Sequence, residues 1–129
     1  MYLPMITNAH PVSRYLIGPY LAVVLTDCES DGMIEYQHAV IVYHIESDAG
    51  QDEPTPPVMA VAAERSAALQ DEHSYFLGVF PGNGHLNMGS STDWDDLTIF
   101  TNRALEIVGD HLNISEAPFL LPEDRGQTD

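Results

Sequence analysis

Tyr75-Phe76-Leu77-Gly78-Val79-Phe80, then Pro81-Gly82-Asn83-Gly84, then His85-Leu86-Asn87-Met88-Gly89, reads as a strand, a corner and a returning strand. The first six residues are mostly aromatic or aliphatic, and such side chains suit a pleated, half-buried surface. Proline presets one turn dihedral, and Asn-Gly accepts the positive φ that a tight reversal requires. The return strand runs straight into Ser90-Ser91-Thr92-Asp93, a helix start. Side-chain oxygens of these types accept bonds from the free N–H groups of a first helical turn. Thr92 and Asp95 stand at capping-box spacing, with Asp in place of the usual Glu. Asp93, Asp95 and Asp96 also suit the positive end of a helix dipole. A helix is expected from Asp93 to about His111, with Leu97, Phe100, Ala104, Ile107 and Val108 on one apolar stripe.

Working outward, Tyr20 to Thr26 is a β-branched apolar run that predicts a strand buried on both faces. Asp27 to Gly32 is an acidic loop, and Met33 to Ile45 is a long second strand. Alternation along it puts Ile34, Tyr36, His38, Val40, Val42 and His44 on one face, expected to meet the core. The opposite face, with Glu35 and Gln37, is expected to be partly wet. Prolines 54, 56 and 57 make residues 46–57 a loop, and Val58 to Ala63 is a short strand. Glu64 to Ser74 fits either a short helix or a loop. The first nineteen residues, broken by Pro4, Pro11 and Pro19, read as an extended arm with a short helical turn near Ser13 to Ile17. Residues 122–129 read as a flexible tail. The expectation is one domain, 1–129, of class α+β: an antiparallel β-meander of about five strands with one C-terminal helix packed on a sheet face.

Charge is the sharpest anomaly in the composition. Twenty Asp and Glu face four Arg and no Lys, for a formal net charge of −16 in 129 residues. Nucleic acid and anionic lipid are bound by displacing counterions with Lys and Arg, so direct nucleic-acid or membrane binding is not expected. The excess fits solubility alone, a salty cytoplasm, or docking to a basic protein. The first two together explain it more simply, because net charge speaks to solubility before it speaks to a site. The single cysteine, Cys28, cannot form an intramolecular disulfide, which suits a reducing, cytoplasmic setting. Its acidic neighbours Asp27 and Glu29 disfavour a thiolate nucleophile. No signal peptide and no apolar run of about 18 residues is evident.

The six histidines show no HxH, HxxxH or HExxH pair, so no metal site, cofactor or catalytic residue is assigned from spacing. Asp93-Trp94-Asp95-Asp96 is the most distinctive cluster, although helix capping accounts for its acids without a ligand. Gly82-Asn83-Gly84-His85 is a hairpin corner before it is a phosphate loop, since no basic residue follows. The candidate partner- or ligand-binding residues are therefore His85, Asn87, Asp93, Trp94 and Asp95, at the junction of hairpin and helix.

Three functions follow. A non-enzymatic acidic interaction module (an inhibitor, immunity-like protein or adaptor) docking on a basic partner leads, because the charge is extreme and no catalytic signature stands out. A small enzyme or a ligand- or metal-binding protein with its site at residues 85–96 is the first alternative. A structural homo-oligomer or virion subunit, joined through the N-terminal arm, is the second.

Overall fold

The computed structural model describes residues 6–30, 35–45, 57–65, 74–80 and 84–121. They form a seven-stranded antiparallel sheet, a 3-10 turn and one helix. The strands are β1 (Ile6–Ile17), β2 (Tyr20–Ser30), β3 (Glu35–His44), β4 (Pro57–Arg65), β5 (Tyr75–Phe80), β6 (Leu86–Ser91) and β7 (Phe119–Leu120). Their spatial order is β6-β5-β4-β3-β2-β1-β7. Six strands thus meander in chain order, and the chain returns after the helix to set β7 beside β1, pairing Tyr15 with Leu120 and Leu16 with Phe119. The α+β class and the single C-terminal helix, α1 (Leu97–His111), are as expected. Seven strands replace about five.

The additional strands are β1, in the proline-broken arm, and β7, after the helix. The arm is β1, paired with β2 from Ile6↔Ser30 to Ile17↔Tyr20. The helical turn expected at Ser13 to Ile17 is extended backbone inside that ladder. Pro11 is accommodated beside a register shift between Pro11 and Ser13, where the ladder is already interrupted. Gly18 makes the reversal into β2 at φ +56, a conformation glycine adopts without strain. Residues 6–17 are therefore paired within the sheet of their own chain. The loop of residues 46–56, the 66–73 connection, the corner at 81–83 and the tail at 122–129 lie outside the described residues.

Two layers of apolar contact flank the sheet. On one face Val24, Val40, Val42, Met59, Val61, Leu77 and Val79 lie under Phe100, Ala104, Leu105 and Val108 of α1. Leu105 and Thr101 are buried along with the expected stripe, while Leu97 and Ile107 sit partly buried at its margin. On the opposite face Ala39, Ala60, Ala62 and Phe80 are also at or near zero exposure. That face was expected to be partly wet; its centre is dry. Tyr36 belongs to this second layer and not, as strict alternation predicts, to the first. A register shift between Tyr36 and His38 inserts one residue and turns Tyr36 over.

The helix begins later than its capping signals suggest. Ser91 caps a 3-10 turn, Thr92–Asp95, by accepting from the Asp93 N–H at 3.0 Å. Asp96 then caps α1, its Oδ1 accepting from Thr98 N at 2.9 Å and Ile99 N at 3.1 Å. His38 fixes this junction to the sheet. Its Nε2 donates to the Asp95 carbonyl at 2.9 Å, because a carbonyl can only accept. In the neutral ring its Nδ1 then accepts from the Thr26 hydroxyl at 2.8 Å. Both ring nitrogens of a side chain only 4% exposed are thereby satisfied.

This placement of the cap is testable by equilibrium urea denaturation. Asp96→Ala is expected to cost about 1 kcal/mol, the usual loss of a helix cap. Thr92→Ala, at the position the sequence favours, is expected to cost less than about 0.5 kcal/mol. Equal losses would refute the two-stage helix start.

Candidate functional site

The hairpin brings His85 to a residue the sequence did not flag. Glu64, next to last in β4, lies on the face opposite α1, directly across from Phe76 of β5. Its side chain is 4% exposed. Next on that face of β5 is Gly78, and a Cβ built there would lie 2.5 Å from the Glu64 carboxyl carbon. The missing side chain of Gly78 is thus the slot that the carboxylate occupies. His85 closes it: Nε2 donates to Oε1 at 3.0 Å and stands 2.9 Å from Oε2. One N–H makes one good bond, so Oε2 keeps the electrostatic contact without a hydrogen bond of its own. The His85 ring stacks on Phe80, centroids 4.4 Å apart and planes 7° from parallel. With 28% of its side chain exposed, His85 still reaches water.

Burial pushes the Glu64 carboxyl above its ordinary range, and the charge and hydrogen bond of His85 pull only partly the other way. A buried acid with a raised affinity for protons, touching a solvent-reaching imidazole, is chemically capable of holding or passing a proton. By sequence Glu64 opens a segment that fits a helix or a loop, yet it lies in β4, and an acid at the end of an alanine run carries no signal of its partner. A slot made by a distant glycine leaves no local pattern. The weak cue was Gly78 inside an otherwise bulky strand, a sign of close approach by a neighbour.

The remaining candidates lie in differing surroundings. Asn87 is exposed on β6, and its Oδ1 accepts from Gly89 N at 2.8 Å, holding a kink where Gly89 takes φ +106 and the β5–β6 register shifts. Trp94 packs against the helix-side core, on the other side of the sheet from Phe80 and His85. Its Nε1 is buried without a partner among the described residues. Asp93 is exposed in the 3-10 turn, and Asp95 is engaged through its carbonyl by His38. The sheet thus separates Trp94 from His85, whereas Asn87, paired with Gly78, lies on the His85 face.

A second cleft, of about 330 Å³, opens where β2 ends and β3 begins, lined by Cys28, Glu29, Glu35, Tyr36, Gln37, Arg65 and Tyr75. Burial, reinforced by Asp27, pushes the Cys28 thiol up to about 11, so it stays protonated at neutral pH. Burial also raises Tyr75, with Asp95 adding to the effect and Arg65 opposing it. Arg65 donates to the Ser74 carbonyl at 3.0 Å. Among the described residues no group of three or more His, Cys, Asp or Glu could hold a metal ion, and no helix is long and apolar enough to cross a membrane.

No family model, no curated protein and no solved structure matches the chain.

The Glu64 slot makes two predictions. A carboxyl whose proton affinity is raised by folding takes up a proton as the chain folds, so ∂ΔG/∂pH is negative between the two pKa values. Relative to Glu64→Gln, the natural protein should lose stability as pH rises from the ordinary glutamate range, about 4.3, to the raised folded value. Above that value the difference should level off. Urea midpoints of both proteins across pH 4–8 read this, and an opposite slope would refute it. Gly78→Ala should destabilise the natural protein by evicting the carboxylate, yet be close to neutral in a Glu64→Ala background. A double-mutant cycle should show coupling of more than about 1 kcal/mol.

Proposed function

We propose that the chain is a non-enzymatic acidic interaction module that docks on a basic surface of a partner protein. The observation that carries this reading is the imbalance of twenty acids against four Arg and no Lys. Its distribution supports the same reading: among the acids in the described residues, Glu64 alone is buried. The others face water wholly or in part, where their summed field steers a cationic partner and holds like-charged molecules apart. Arg103, a cation on α1, is paired with Glu106 of its own helix at 3.0 Å. The compartment that suits a half-buried, lone Cys28 is the reducing cytoplasm.

A second reading is favoured by one observation, the contact of buried Glu64 with solvent-reaching His85. A ligand-binding protein or small enzyme would use that pair as its proton-handling group. Thermal-shift screening against a library of small metabolites tests it: hits whose shift disappears in His85→Ala support this reading, and hits unaffected by that variant count against it.

Two measurements test the leading reading against simple salt adaptation. Thermal unfolding is expected to occur from a fully folded state in about 0.1 M KCl, with no need for the molar salt that an acidic, salt-adapted surface requires. Affinity capture from cell extract in low salt should retain identified proteins of basic pI and release them as salt is raised past the point where the Debye length is about 8 Å. Absence of any basic partner at low ionic strength would overturn the reading.

A further inference from the structure

The chain leaves α1 by a tight reversal. Asn113 takes φ +58, Ile114 N donates back to the Gly109 carbonyl at 2.9 Å, and residues 114–118 then run beside the helix toward β7. Between this return segment, the flank of α1 and Tyr15 of β1 lies an open groove of about 840 Å³. Its walls are mixed. Tyr15, Leu105, Ile114 and Pro118 supply apolar surface, and Arg103, Glu106, Asp110 and Glu116 supply charge. Arg103 and Glu106 bridge one another at 3.0 Å and largely cancel. Asp110, in the last turn of α1, and Glu116, on the opposite lip, are left as a net negative pair. The helix adds to this sign, because the C-terminal end of an α-helix carries partial negative charge on its last carbonyls.

We propose that this groove is the docking site for an extended basic segment of the partner protein, one that presents Arg or Lys interspersed with apolar residues. The inference rests on the acidic-module reading and gives it a place. An Arg or Lys side chain can lay its aliphatic stem along Leu105, Ile114 and Pro118 while its head reaches Asp110 and Glu116. A Tyr ring face such as that of Tyr15 is a further attraction for a cation. The volume is within the range of clefts that hold a drug-sized group, enough for one or two side chains of such a segment. A second copy of the chain is a poor occupant, because two molecules of charge −16 repel.

The probes are two eight-residue peptides, octa-arginine and one in which Arg alternates with Leu. Each is titrated into the ¹⁵N-labelled full chain. Saturable shifts are expected at Tyr15 and between Asn102 and Pro118, with the mixed peptide keeping more of its affinity as salt is raised. Asp110→Lys with Glu116→Lys should weaken binding about tenfold or more. Glu29→Lys with Glu35→Lys makes the same change in net charge at the other cleft and should weaken it by less than about threefold. Unfolding curves establish that each variant folds, and Asp110→Asn with Glu116→Gln serves if the reversal does not. If both reversals weaken binding equally, or shifts spread over the whole surface, the groove is overturned while the acidic-module reading stands. Concentration-dependent shifts of the groove without peptide would assign it to a second copy and overturn the proposal. No binding of either peptide at low salt would overturn the groove and the module together.

Discussion

Phe100, Ala104 and Val108 close against Val24, Val40, Val42, Met59 and Val61, all without measurable exposure. Burial of this apolar layer is the main favourable term available to a domain of this size, which has neither a disulfide nor, in its described residues, a metal centre. The position of α1 depends on it, and so does everything that α1 positions. Asp96 can cap the helix only where the 3-10 turn delivers it, and that turn is fixed by His38 reaching from β3 to the Asp95 carbonyl. A buried imidazole with both nitrogens bonded ties the helix start to one register of the sheet. An apolar side chain in its place would pack, but would leave that carbonyl without its partner.

The opposite face is closed by different means. Ala39, Ala60 and Ala62 present methyl groups where the helix side presents Val and Met. A surface of small side chains lets a neighbour approach closely, and Gly78 is the extreme of that trend, leaving space for a whole carboxylate. Glu64 is thus withdrawn from water in a chain whose other described acids stay in contact with it. Desolvating one carboxylate is costly, and a single imidazole offsets that cost only in part. The raised proton affinity of Glu64 is the visible residue of that imbalance. Outside the two apolar layers the same chain carries a strong negative field, which acts on encounters with other molecules and leaves the fold to burial.

Much of this was legible from the chain. The runs at Tyr20 to Thr26, Met33 to Ile45, Val58 to Ala63 and Tyr75 to Phe80 became β2, β3, β4 and β5 because short apolar runs between turn residues have few other ways to bury themselves. The helix ends at His111, where its periodic pattern stops. The legible part fails in three kinds of place. Prolines near the N-terminus argue against a strand, yet β1 pairs through Pro11, beside a register shift. A bulge before His38 breaks the alternation that assigned Tyr36 to a face. Among the expected site residues, His85 meets the buried Glu64, a partner twenty-one positions earlier in the chain.

The sequence by itself determined the class of the fold, the identity of the central strands, the C-terminal end of the helix and the sign of the surface charge. Each of these follows from composition or from the spacing of residues close together in the chain. Tertiary structure alone decided that β7 returns to β1, that both faces of the sheet are dry at the centre, that Glu64 occupies the gap at Gly78, and that Trp94 and His85 look away from each other across the sheet. These depend on contacts between residues far apart in the chain, whose free energy comes from shared burial and close approach, and no short window of residues encodes it.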